Sequence, residues 1–534
     1  MDRGTRRWVL AGAALAVVVI VTAGVLVLVS ESSTGTAQRG GAGAGEVALD
    51  YLDAVARRDV RAAAALTDDP RAAESALSGA LAGLGATAVR TVAEPPHGAD
   101  GEREAARTFT ITWTLGRDRV WTYDNTVTVL RGDEGWRVRW TPASLHPRLG
   151  EGQTLQLRTV DGTPAVLARD GERLLEWRSG EVEPAAGAGG PPMLLPALDR
   201  YATERLDPGW SVVRVGADGW DIDTLTSTPD RESGPLESTV SVPVQRAAQQ
   251  AVDGVEGTAL LVAIQPSSGD ILAVAQNARA GAAPDALTGL YAPGSTFKIA
   301  TATAVLTHGT ASPETVLPCP ATARIGTRTI PNDDRFDLGD VPLHTAFAHS
   351  CNTTFARLAA DLPADALADA ATRLGLNADF VIPGLTTEAG TVEPAADPVQ
   401  RLEDGIGQGK VQASPFGVAL MAATVAEGTP VTPRLWDEVD TTVRAGYDAP
   451  SGPVLDAVRA MMRQTVTSGT ATALAPLGEV HGKTGTAQLP ERTEAHGWFA
   501  GYRGDVAFAV LAQRAGSSQP AVAAATAFLR GLPA

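Results

Sequence analysis

One N-terminal membrane helix, a small α+β domain, a short connecting domain and a large α/β domain form the multidomain fold that the sequence predicts. Three observations support this prediction. The chain has 534 residues, more than one domain usually holds. An uncharged apolar segment near its start is long enough to cross a bilayer. After it, the residue periodicity changes from short helices to alternating strands, and then to a long mixed α/β pattern.

The start of the chain predicts a membrane anchor. Three arginines lie within residues 1–7, and residues 8–29 carry no charged side chain. About 20 apolar residues span a bilayer as a helix, and a basic flank favours the cytoplasmic side. A cleaved signal peptide would have a shorter apolar core that ends at a small-x-small site. We therefore expect a cytoplasmic tail at 1–7, a transmembrane helix at 8–30 and the catalytic part of the chain outside the cytoplasm.

Four further segments follow the anchor. Residues 31–45 are rich in Gly, Ser, Ala and Thr, which predicts a flexible linker. Residues 46–146 begin with apolar residues at helical spacing and continue with period-two alternation, which predicts a small α+β domain. Residues 147–237 combine short strand patterns with a Pro/Gly/Ala break and predict a short separate domain. Residues 238–534 predict one α/β domain, with a hairpin over residues 259–275.

Composition excludes two classes of function. The net charge of −17 leaves no basic surface to neutralise phosphates, which argues against nucleic-acid binding. The two cysteines, Cys319 and Cys351, have no second Cys or His at ligand spacing, and no His-x-x-x-His occurs. We therefore expect no metal and no cofactor.

Lysine is rare in this chain. Only Lys298, Lys410 and Lys483 among the 44 basic residues are lysine, and all the others are arginine. A guanidinium group stays protonated in proteins, whereas a buried ammonium beside another cation can lose its proton and act as a base. Lysine is therefore expected where the chemistry needs an amine.

The first candidate site is a serine followed three residues later by a lysine. Pro293 and Gly294 predict a turn before Ser295, and the apolar residues 299–306 predict a helix after it. Ser295 then lies at a helix N-terminus, where amides and dipole favour negative charge, and Lys298 lies one turn further on the same face. Its amine can take the proton of the serine hydroxyl. Ser-x-x-Lys also occurs by chance on many helices.

The second candidate site is Ser350-Cys351-Asn352. The Asn352 amide offers a donor and an acceptor to a substrate amide, and the Ser350 hydroxyl can relay a proton. Both residue types also cap helices well, and a helix is predicted to follow. The catalytic and capping interpretations are compatible.

The third candidate site is the strand-like segment Lys483-Thr484-Gly485-Thr486. A strand here could pair with an extended peptide, while the Lys483 charge and the Thr484 hydroxyl hold a carboxylate. We expect Gly485 to let a substrate approach the backbone closely. The backbone amides of Ser295 and Thr486 could form an oxyanion hole. Lys-Thr-Gly alone is also a common surface turn.

Taken in this order, the three motifs resemble the signature of the penicillin-recognising serine acyltransferases. Residues 238–534 resemble the transpeptidase domain of a penicillin-binding protein, and Gly407-Gln408-Gly409 resembles the class B version, which has no glycosyltransferase domain. Residues 140–147 resemble a segment of the methicillin-resistance-type relatives. This implies a nuclear-transport-factor-like fold for residues 46–146 and a pedestal, or dimerisation-like, domain for residues 147–237. His481, where a small residue is more usual, is a departure.

The resemblance implies a class B-like D,D-transpeptidase that cross-links peptidoglycan. In it Ser295 is the nucleophile, Lys298 the general base and Ser350 the proton relay, with Asn352 and Lys483 assisting. Expected partners are peptidoglycan stem peptides, β-lactams that acylate the same serine, the inner membrane through one helix, and a membrane glycan polymerase. A D,D-carboxypeptidase, a β-lactamase and a non-catalytic β-lactam sensor are the alternatives. The sensor would call for several membrane spans and a cytoplasmic effector.

The two cysteines allow two interpretations. In an extracytoplasmic chain they either pair or are both buried. A disulfide between Cys319 and Cys351 would attach the polar segment 325–340 to the second motif. Otherwise Cys351 is a small buried residue and Cys319 an unrelated loop thiol.

Overall fold

The computed structural model describes residues 43–95, 102–116, 119–187, 192–206, 209–228, 234–489 and 494–533. The chain forms two compact units, one of residues up to 158 with 211–227, and one of 159–210 with 228–534. The predicted tail and transmembrane helix lie outside the described residues. Among the helices that the structure describes, none is both long and apolar enough to cross a membrane.

The first unit combines helices with β-sheets. Its helices are α1 (Ala44–Ala56), α2 (Val60–Ala65) and α3 (Pro70–Leu84). Its strands are β1 (Ala88–Ala93), β2 (Glu104–Thr114), β3 (Val120–Gly132) and β4 (Gly135–Val138), with β5 (Thr154–Thr159), β9 (Trp210–Val215) and β10 (Asp221–Thr228). Strands β1 to β4 form one sheet in chain order, and β10-β9-β5 form another.

The alternation in β2 and β3 produces the predicted α+β pattern, because every second side chain faces the helices. Phe109, Ile111 and Trp113 are buried on β2, and Val127 and Val129 on β3. The structure corrects two details. Helix α1 begins two residues inside the predicted linker 31–45. Helix α3 was not predicted, although Asp69 caps it by accepting from the Ala72 N–H, and a proline follows at the first helical position.

The second unit is built around a five-stranded antiparallel sheet of order β13-β12-β24-β23-β22. These strands are β12 (Ala259–Ile264), β13 (Ile271–Gln276), β22 (Val480–Gln488), β23 (Ala495–Arg503) and β24 (Val506–Ala512). Strands β12 and β13 form the predicted hairpin. Both faces of the central strands are buried. Consecutive residues such as Leu260 and Leu261 therefore belong to two separate apolar cores, one on each face.

Helices cover both faces of this sheet. The helices of this unit, some of which pack on other helices or on the short strands, are α4 (Leu195–Arg205), α5 (Val242–Asp253), α6 (Asp285–Thr288), α7 (Lys298–Thr307), α8 (Leu343–Ala348), α9 (Asn352–Asp361), α10 (Ala366–Arg373), α11 (Pro398–Asp404), α12 (Pro415–Glu427), α13 (Gly452–Thr467) and α14 (Gln519–Gly531). Helices α5 and α14 pack in one core, and α7, α9 and α12 in the other. The three candidate motifs therefore come from two helix starts and one strand of the same unit.

Short strands complete the second unit. They are β6 (Pro164–Leu167), β7 (Arg173–Arg178), β8 (Glu181–Pro184), β11 (Leu236–Glu237), β14 (Val316–Cys319), β15 (Thr322–Ile325), β16 (Arg328–Pro331), β17 (Gly339–Pro342), β18 (Asp379–Val381), β19 (Gly390–Thr391), β20 (Gln412–Ala413) and β21 (Thr442–Ala445). Strands of the predicted pedestal segment 147–237 occur in both units. Strands β14 to β17 form two small sheets within residues 316–342, a segment that we call the rim segment.

Candidate active site

The nucleophile candidate lies in a tight turn. Residues 294–297 form a 3₁₀ turn that leads into helix α7, and Ser295 is 8% exposed. Gly294 has φ +54°, and a Cβ on it would lie 2.7 Å from the carbonyl of Thr486. Its N–H donates to the carbonyl of Gly407 at 2.9 Å. Only glycine allows this turn to approach strand β22 so closely.

The Lys298 amine is surrounded by four polar atoms. Its Nζ lies 3.0 Å from Ser295 Oγ, 2.8 Å from the Ser350 carbonyl, 3.3 Å from Ser350 Oγ and 2.6 Å from Asn352 Oδ1. A neutral amine has two N–H groups and one lone pair. The Ser350 carbonyl and Asn352 Oδ1 can only accept, so they engage the two N–H groups. The lone pair is then left for the Ser295 hydroxyl, which is the geometry a general base requires.

Burial makes the neutral form of this amine accessible. The pKa of Lys298 is well below its usual range, because the side chain is completely buried and because Lys483 is a nearby cation; Asp333 opposes the shift. Burial alone lowers the pKa of Lys483 to about 7. The Lys298 ammonium lies 5.6 Å from the Phe355 ring centre, a contact that favours the charged form. Such a contact is worth about 2 kcal/mol or somewhat more when desolvated, whereas burial of an isolated charge costs on the order of tens of kcal/mol.

The second motif reaches Lys298 through an unusual backbone conformation. Ser350 follows helix α8 with φ +61°, a left-handed value that a residue with a side chain adopts only at some cost. This conformation directs both the carbonyl and the hydroxyl of Ser350 to the Lys298 amine. Asn352 begins helix α9, and its Nδ2 donates to the Pro331 carbonyl at 3.2 Å. The structure thus brings Ser295, Lys298, Ser350 and Asn352 together.

The third motif lies on β22, an edge strand. Among the described residues, β22 pairs within its sheet only with β23, so its other edge can accept an extended peptide. The Lys483 Nζ donates to the Thr484 carbonyl at 2.9 Å, and the Thr484 hydroxyl lies 2.6 Å from that of Thr470. Thr470 is a polar neighbour of the site that the sequence analysis missed, because Gly-Thr is common in loops.

Gly485 has a packing role in addition to the approach of a substrate that the sequence predicts. A Cβ there would lie 2.9 Å from the Pro293 carbonyl and 3.0 Å from Thr296. The glycine therefore lets β22 pack on the nucleophile turn, which brings the backbones of residues 294–295 and of Thr486 side by side. This is where the predicted oxyanion pair of amides belongs.

Cys319 and Cys351 form a disulfide in the structure, with their Cα atoms 6.1 Å apart and both side chains buried. It joins the rim segment to the residue between Ser350 and Asn352. Thiol counting on denatured, unreduced protein should therefore find no free thiol, and two after reduction. Two free thiols before reduction would contradict the bond. Closing a loop of about 30 residues stabilises by roughly 3–4 kcal/mol in the chain-entropy model, so reduction should lower Tm.

No group of three or more His, Cys, Asp or Glu side chains within the described ranges is arranged to hold a metal ion. The chemistry of the site comes from a serine hydroxyl, two buried amines and backbone amides. Together these define a serine acyltransferase, in which a lysine rather than a histidine activates the nucleophile.

Comparison with known proteins identifies the family. The profile of the penicillin binding protein transpeptidase domain matches residues 259–530, more than half of the chain. The chain therefore belongs to the penicillin-binding protein transpeptidase family. The profile of the NTF2-like N-terminal transpeptidase domain matches residues 43–153. The class B resemblance and the predicted nuclear-transport-factor-like and transpeptidase domains are thereby confirmed.

Two curated relatives and two solved structures show the extent of the similarity. Peptidoglycan D,D-transpeptidase PbpA of Mycobacterium tuberculosis (strain H37Rv) is 27% identical over 354 residues, which cover 57% of this chain and 72% of that protein. PbpA of Mycolicibacterium smegmatis is 28% identical over 358 residues, covering 56% and 71%. The D,D-transpeptidase domain of a peptidoglycan glycosyltransferase from Eggerthella lenta superposes with a TM-score of 0.56 at 25% identity, covering 69% of this chain and 97% of that one. Pseudomonas aeruginosa PBP2 shares the fold, with a TM-score of 0.55 at 23% identity over 70% and 95%.

Proposed function

We propose that this chain is a peptidoglycan D,D-transpeptidase that cross-links stem peptides through an acyl-enzyme on Ser295, and that β-lactams acylate the same hydroxyl. The observation that carries the proposal is the 3.0 Å contact between Ser295 Oγ and the buried amine of Lys298. Membership of the transpeptidase family and the two PbpA relatives support it.

Acylation proceeds in two proton transfers. The neutral Lys298 amine takes the Ser295 proton as the serine oxygen attacks the carbonyl of the penultimate D-Ala. The amides of Ser295 and Thr486 stabilise the resulting oxyanion, each by roughly 3–4 kcal/mol. The C–N bond then breaks, and the Lys298 proton reaches the departing D-Ala amine through the Ser350 hydroxyl, which lies 3.3 Å from Nζ.

Deacylation uses the same groups in reverse. The amine of an acceptor stem peptide attacks the ester, loses a proton through Ser350 and Lys298, and releases the Ser295 hydroxyl. The donor peptide pairs with the open edge of β22, and its carboxylate lies near Lys483 and Thr484. Water in place of the amine would make the enzyme a carboxypeptidase.

Intact-mass measurement after exposure to a penicillin, followed over hours, tests the proposed function. A stable adduct of one drug molecule is expected, because a transpeptidase does not deacylate it efficiently. Rapid loss of the adduct would indicate a β-lactamase, and no adduct would contradict the proposal. Incubation with a stem peptide ending in D-Ala-D-Ala and an amine acceptor then separates the remaining activities. Transpeptidation yields the cross-linked amide, whereas carboxypeptidation yields only the shortened peptide.

The proposal includes location outside the cytoplasm, with a transmembrane helix at 8–30 and a membrane glycan polymerase as partner. Its support is the uncharged segment 8–29 with the basic residues Arg3, Arg6 and Arg7 before it. Protease added to intact spheroplasts should digest residues after about 30, while a cytoplasmic marker protein survives. A catalytic domain that is protected until the membrane is permeabilised would contradict this location.

A further inference from the structure

Asn332 lies in the rim segment, outside the three motifs, and its side chain contacts the start of helix α9 at the second motif. Its side chain is 2% exposed. Its Oδ1 accepts from the backbone N–H of Asn352 at 2.8 Å and of Thr353 at 3.1 Å. Its Nδ2 donates to the carbonyls of Pro320 and Phe336, each at 3.0 Å. One amide therefore links both sides of the rim segment to the start of helix α9.

The N–H groups at the start of helix α9 need a hydrogen-bond acceptor from outside the helix. The first N–H groups of a helix have no partner inside it, and a side chain at the N-cap usually supplies one. Here the N-cap residue is Cys351, whose side chain makes no capping hydrogen bond. Asn332 caps the helix from 20 residues upstream.

The neighbouring residue completes the arrangement. The Pro331 carbonyl accepts from Asn352 Nδ2, which turns the amide so that its Oδ1 faces the Lys298 amine at 2.6 Å. Pro331 and Asn332 together hold the side chain and the backbone of Asn352. The Ser350 carbonyl, two residues earlier, is the other acceptor of the Lys298 amine.

We propose that Asn332 is a positioning residue for acylation: it holds the Ser350–Asn352 turn so that the Lys298 lone pair faces Ser295. This inference rests on the proposed function of Ser295. Other links attach the rim segment to α9, namely the Pro331 carbonyl, the disulfide and the hydroxyls of Thr353 and Thr354, which donate to the carbonyls of Pro320 and Pro318. None of them engages the backbone N–H of Asn352, so Asn332→Ala should fold and yet lose the alignment of this turn.

The test separates the rate of acylation from binding. For Asn332→Ala we expect the limiting rate of penicillin acylation, counted per active site by intact mass, to fall roughly 10- to 100-fold. The dissociation constant of the non-covalent complex should change less than about threefold, since the Asn332 side chain is buried and its hydrogen bonds are made within the protein.

Asn277→Ala is the matched control. Asn277 is 6% exposed, its Nδ2 donates to the carbonyls of Val252 and Gly257, and its Oδ1 accepts from the Ala259 N–H. It is also a buried amide, and it connects loops of the same unit outside the three motifs. Asn277→Ala should lower Tm as much as Asn332→Ala does, but it should leave the acylation rate unchanged. Equal rates for Asn332→Ala and the native protein, or equal losses in both variants, would overturn the proposal.

A double-mutant cycle covers a further outcome. In an Asn352→Ala background, Asn332→Ala should lower the acylation rate little further, because both side chains act through the same turn. Additive losses of rate would count against the positioning role of Asn332. Absence of any adduct on the native protein would instead refute the proposed function.

Discussion

Ser295→Ala should abolish covalent labelling by fluorescent penicillin, with a loss of at least about 10⁴-fold, because no other nucleophile can replace the serine oxygen. The fold should survive. The substitution removes one atom from a largely buried turn and leaves the amine of Lys298 with its contacts to Ser350 and Asn352. Gel fluorescence measures the labelling, and thermal unfolding measures the fold.

Ser414→Ala is the control for this variant. Ser414 is another buried serine of the same unit, and its Oγ caps helix α12 by accepting from the Gly417 N–H. Losing this cap should cost about 1 kcal/mol of stability and leave labelling intact. Labelling that persists in Ser295→Ala, with an adduct mapped elsewhere, would refute the nucleophile.

Lys298→Arg should reduce acylation by at least about 10³-fold although the charge is kept. A guanidinium cannot lose its proton at accessible pH, so the lone pair that faces Ser295 disappears. It is also larger and planar, and the site is completely buried with its acceptors fixed around a single nitrogen. Stopped-flow acylation with a chromogenic β-lactam measures the rate.

Lys410→Arg provides the matched control, since Lys410 is the one lysine of the chain outside the three motifs and is exposed. Its rate should equal that of the native protein. Substantial acylation by Lys298→Arg would show that another group takes the serine proton. Ser350 could not do so alone, because its hydroxyl has no base besides this amine within the contacts described.

The sequence by itself determined the local chemistry of this protein. Ser295 and Lys298 are three residues apart, so one helical turn is enough to bring them together, and the turn residues before Ser295 indicate where that helix begins. The alternation of β2 and β3 and the hairpin of residues 259–275 follow from periodicity in the same way. The order of the three motifs was sufficient to identify the family.

Only the tertiary structure decided how these pieces act together. Lys298 meets Asn352 across 54 residues, and Asn332, in a polar segment that resembles any surface turn, caps the helix that Asn352 begins. The packing of Gly485 on the nucleophile turn is visible only in the structure. The low pKa of Lys298 depends on complete burial and on Lys483. The physical reason is the same in each case: periodicity reports which face of an element is buried, whereas the partner that buries it is set by packing between segments distant in the chain.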